Sequence, residues 1–106
     1  MTKITVYQRK EHIIGYQMIG HTGYADAGSD IYCSAISVLA INTANSLETL
    51  AGAKLSAEEQ DGFIKVRLLS EPDEKSDLLF DSLVLGLRGI LDNNGKKFLK
   101  VNFEEV

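Results

Sequence analysis

Twice within 106 residues, two short strand-forming runs are followed by a helical stretch, and one more strand-forming run closes the chain. This switching between a period of two and a period near 3.6 limits the possible folds more than any single residue does. Lys3 to Tyr7 alternates and is rich in β-branched residues, and Ile13 to Ile19 follows across a polar turn at Lys10-Glu11. Residues 20–30 hold three glycines and few large apolar groups, which predicts a mobile loop. Ile31 to about Ala51 is rich in Ala, Leu and Ser without Gly or Pro, so a helix is predicted there, with Gly52 as its stop.

Lys54 to Glu59 and Phe63 to Leu69 read as a second hairpin across Gln60-Asp61-Gly62, where the Asp-Gly pair suits a turn with positive φ. Ser70-Glu71-Pro72-Asp73 breaks the strand. Ser76 or Asp77 is the expected cap of a second helix ending near Asn93-Asn94-Gly95, and Lys97 to Phe103 is the last strand. The order β-β-α-β-β-α-β predicts an α+β fold. It is a single two-layer domain over residues 1–106, a mostly antiparallel sheet with two helices packed on it.

Composition narrows the class. Apolar residues make up 44% and charged residues 25%, as in an ordinary globular protein. No apolar run is long enough to span a membrane, and the N-terminus lacks the apolar core of a signal peptide. The single cysteine cannot form an internal disulfide, which fits the reducing cytoplasm. A net charge of −4 disfavours direct nucleic-acid binding but permits steering of a basic partner. No cofactor or metal is expected. One Cys and two His without clustered acids fall short of a zinc site, and Gly20-x-x-Gly23 lacks the lysine of a P-loop.

The chemistry concentrates in Gly20-His21-Thr22-Gly23-Tyr24 and Gly28-Ser29-Asp30-Ile31-Tyr32-Cys33-Ser34. A cysteine acts as a nucleophile when its thiolate is stabilised and a neighbour handles the proton. Cys33 falls at a predicted helix start, whose free amides and dipole favour an anion. On the wheel it also shares a face with Ile36, Ala40, Ala44 and Leu47, so a buried, inert thiol is the competing reading. His21 has the proton affinity for general acid–base work. His12 lies near the first hairpin turn and is expected to be solvated. Asp30 reads as a helix cap or as a group orienting His21, and Asp26 is the other candidate for orientation. Gly20, Gly23 and Gly28 read as conformational freedom in the loop. Ser34 either donates a hydrogen bond near the nucleophile or faces solvent.

The stretch G-H-x-G-Y-A-D-x-G-x-D-I-x-C-S-A, residues 20–35, closely resembles the ribosomal-processing cysteine protease family, and length and element order match along the whole chain. The resemblance implies a cysteine endopeptidase with Cys33 as nucleophile and His21 as base. It would remove a short N-terminal extension from a basic large-subunit ribosomal protein, cutting after an aromatic residue. It also implies a homodimer. Leu78 and Leu85, opposite the Leu79–Leu83–Leu87–Ile90 face of the second helix, could form the seam or simply be scattered surface leucines. The rival is a non-catalytic ribosome-associated binding module with a structural Cys33. A redox sensor is a third reading, weakened by the lack of a resolving cysteine.

Overall fold

A computed structural model describes residues 2–20, 27–93 and 99–106, with side chains in the first helix from residue 34 onward. The expected order is observed: β1 (Thr2–Arg9), β2 (His12–Ile19), α1 (Ala27–Thr49), β3 (Leu55–Gln60), β4 (Phe63–Leu68), α2 (Glu74–Asp92) and β5 (Leu99–Glu105). The strands form one sheet in the order β3-β4-β2-β1-β5. Three pairings are antiparallel, and β1 pairs with β5 in parallel.

Alternation along β1 marks the covered face of the sheet. Ile4, Val6, Tyr16, Met18, Val66, Leu68 and Leu99 are buried toward the helices. α1 contributes Ile36, Ala40 and Leu47, and α2 contributes Phe80, Leu83 and Leu87. The ring of Tyr16 meets that of Phe80 edge-on with centroids 6.3 Å apart, a favoured aromatic geometry. Gly86 lets α2 approach α1, since a Cβ there would lie 2.9 Å from the Leu39 Cδ2 atom.

One buried polar contact fixes α1 on the sheet. The Tyr16 hydroxyl donates to the Ala40 carbonyl at 2.6 Å. Burial pushes this hydroxyl's pKa far above the ordinary tyrosine range, with the nearby Ala44 amide opposing the shift, so the group stays a donor. Tyr16→Phe is expected to cost about 1 kcal/mol, seen as a fall in melting temperature of about 4–8 °C. Because Ala40 lies two turns after Cys33 on the same helix, the same variant should also loosen the site and lower turnover per folded molecule.

Several boundaries differ from expectation. α1 begins at Ala27 rather than Ile31. Gly28 and Asp30 therefore sit in its first turn, so Asp30 is not the N-cap and Gly28 is not a loop residue. Nothing in Ala27-Gly28-Ser29-Asp30 blocks helical backbone, and a first-turn carboxylate favours the helix dipole. The N-cap of α2 is Asp73, not Ser76 or Asp77. Its carboxylate accepts from the Ser76 amide at 2.8 Å, and the Ser76 hydroxyl accepts from the Asp73 amide at 2.9 Å, closing a capping box. The amide bond to the charged form holds the Asp73 carboxyl below its usual range. β3 is shifted by one residue to end at Gln60, because Asp61-Gly62 alone makes the turn and Gly62 takes φ 73°. Leu79 and Ile90 are only partly buried, and Phe80 takes the central position. The predicted start of the last strand, at Lys97, lies outside the described residues.

Candidate active site

The sheet topology brings the second hairpin beside β2 at the end where the first hairpin runs out. The Gly20 amide donates to the Gly62 carbonyl at 2.8 Å. The Thr2 hydroxyl reaches the Gly20 carbonyl at 3.5 Å. Gly20 has φ 105°, a conformation that side chains rarely adopt. The backbone is thus anchored on both sides one residue before His21.

A cleft of about 670 Å³ opens at this end of the molecule. Its apolar floor comes from Met18 on β2, Ile36 and Ile41 on α1, and Ile64 on β4. Ser37, Glu59 and Phe63 also line it. Ile36 and Ser37 are three and four residues beyond Cys33, the spacing that shares one helix face. The α1 wall of the cleft therefore continues toward the turn that carries Cys33. That cysteine is in the second turn of α1, not the first as expected.

Of the sequence candidates, His21, Gly23 and Asp26 lie outside the described residues, as do the side chains of Asp30 and Cys33. Ser34 is exposed. Ser37, Glu59 and Phe63 were not singled out from the sequence. Only the helical spacing from Cys33 could have flagged Ser37. Glu59 and Phe63 reach the cleft through strand order, which no local motif encodes.

His12 is not simply solvated. Its Nδ1 lies 2.9 Å from the Asp77 carboxylate, with the two side chains 42% and 35% exposed. It also opens β2, while the cleft lies at the strand's other end. Seven residues of strand put about 23 Å between them. His12 cannot serve chemistry in the cleft.

The family described as cysteine protease Prp matches residues 1–99 of this chain. The chain is 26% identical over 91 residues to the ribosomal processing cysteine protease Prp of Bacillus subtilis (strain 168), covering 77% of this chain and 81% of that protein. The crystal structure of SMU.848 from Streptococcus mutans matches with 33% identity and a TM-score of 0.83, covering 100% of this chain and 96% of that one. The S. aureus ribosomal processing protease Prp in complex with a substrate peptide matches with 17% identity and a TM-score of 0.87, covering 98% of this chain and all of that one, which shows the shared fold. With nearly the full chain matched, this protein belongs to the cysteine protease Prp family and is a cysteine-type peptidase.

Proposed function

We propose that this peptidase removes a short N-terminal extension from a large-subunit ribosomal protein, cutting after an aromatic residue, through Cys33 and His21. The observation that carries the reading is one cleft bordered by Gly20, just before His21, and by Ile36 and Ser37, one turn after Cys33. Its floor of Met18, Ile36, Ile41 and Ile64 suits a large apolar side chain.

In the reaction, His21 takes the thiol proton and the Cys33 sulfur attacks the scissile carbonyl carbon. The tetrahedral species collapses to a thioester as His21 gives the proton to the leaving amine. Water, deprotonated by His21, then adds to the thioester and frees the carboxylate of the removed N-terminal extension and the thiol.

The basic substrate fits a chain of net charge −4 whose cleft carries Glu59 in its lining. No described helix is long and apolar enough to cross a membrane, and the reducing cytoplasm suits a lone reactive thiol. Leu78 and Leu85, 69% and 72% exposed on α2, make an apolar stripe for a homodimer seam.

Incubation with the extended ribosomal protein, followed by intact-mass analysis, tests the reading. A single product shortened after an aromatic residue is expected. An unchanged mass at high enzyme concentration would overturn it in favour of a binding module.

A further inference from the structure

We propose that the outer edge of β3 is the strand against which the enzyme holds its substrate. The peptide pairs through its backbone with Ala57 and Glu59 as a sixth strand and so runs extended into the cleft. This rests on the peptidase reading of that cleft.

The hydrogen-bond phase of the hairpin fixes which backbone groups face outward. The Leu69 amide donates to the Lys54 carbonyl at 2.7 Å. In an antiparallel pair the direction alternates residue by residue. Lys54, Ser56, Glu58 and Gln60 therefore bond toward β4, while Leu55, Ala57 and Glu59 turn their N–H and C=O groups to the sheet edge. β3 is the terminal strand of the sheet on that side.

Two of the usual protections of an edge, proline and a bulge, are missing from β3, and its carboxylates are the protection that remains. β3 contains no proline, and its register with β4 runs without a bulge from Leu55↔Leu68 to Gln60↔Phe63. By contrast β1, inside the sheet, carries an irregularity at Tyr7/Gln8. Five of the six β3 residues are exposed. A regular, open edge is a template for an added strand.

Position and charge select the occupant. β3 ends in the turn whose Gly62 holds Gly20, and Glu59 lines the cleft. A chain added along this edge is thus delivered to the residues next to His21. Glu58 and Glu59 project to opposite faces of the strand, so carboxylates flank the edge on both sides. A second copy of β3 would bring like charges together, whereas an extended segment of a basic protein meets opposite charge. Peptidases act on extended backbone, and strand pairing supplies that conformation without reading side chains.

The test uses a synthetic peptide spanning the processed junction, wild-type enzyme and Ala57→Pro. Proline removes the outward N–H at Ala57 without touching the β3–β4 ladder, and edge positions tolerate it. The expected result is a KM raised about tenfold, with kcat changed less than about twofold. The rate of Cys33 alkylation by iodoacetamide should stay the same. A parallel series of peptides carrying single backbone N-methyl groups leaves the protein untouched, so it decides the matter even if Ala57→Pro fails to fold. Loss of affinity at alternate residues is expected, since only every second amide of an added strand points to its neighbour. Wild-type cleavage with equal KM for Ala57→Pro, or a series without alternation, overturns the edge proposal alone. Failure of the wild-type enzyme to cut the peptide overturns the reading of the cleft beneath it.

Discussion

Cys33→Ala is expected to fold like the wild type and to leave the extended ribosomal protein uncut, a loss on the order of 10⁴-fold or more in turnover. Alanine keeps the helix propensity of this position in α1 and removes only a sulfur. The covalent path disappears entirely, because no other thiol exists in the chain. Melting curves and intact-mass assays on the same preparation separate the two effects. Cleavage at the wild-type rate would sink the mechanism. A melting temperature that collapses with activity would favour a structural cysteine instead. Cys33→Ser should be strongly impaired as well, since an alcohol in a site arranged for a thiolate is poorly ionised at neutral pH. The wild-type thiol should react with iodoacetamide without denaturant.

The elements were legible because their periods differ. β1 alternates, α2 repeats its leucines on one face, and Asp61-Gly62 marks a tight turn. The start of α1 was hidden because Gly28, Ser29 and Asp30 are common loop residues, although nothing in them prevents a helix once the following residues nucleate one. The α2 cap, expected at Ser76 or Asp77, falls three or four residues earlier for a similar reason. Asp73 and Ser76 are both good capping residues, and the capping box uses them together. The motif around His21 and Cys33 stood out because glycines frame rare chemical groups. The cleft beside it did not stand out. It is assembled from β2, α1 and the β3–β4 hairpin, and that hairpin reaches β2 only because the sheet runs β3-β4-β2 instead of following chain order. Strand order depends on which faces bury each other, and no short stretch of sequence states it.

His21→Ala should lower kcat/KM by about 10²–10⁴-fold, whereas His12→Ala should stay within about twofold of wild type. The second expectation follows from placement. His12 is about 23 Å of strand away from the cleft, and its half-exposed pair with Asp77 contributes little to stability. The pH profiles give a sharper distinction than the rates. Under the proposed mechanism the acid-side rise of kcat/KM in the wild type should belong to the Cys33–His21 pair rather than to either member alone. Removing the imidazole removes that limb. The residual activity of His21→Ala should then climb with pH toward the ordinary thiol range near about 8.5. His12→Ala should keep the wild-type profile. An unchanged acid limb in His21→Ala would mean that another group holds the proton, and equal losses in the two histidine variants would mean that the base is misassigned.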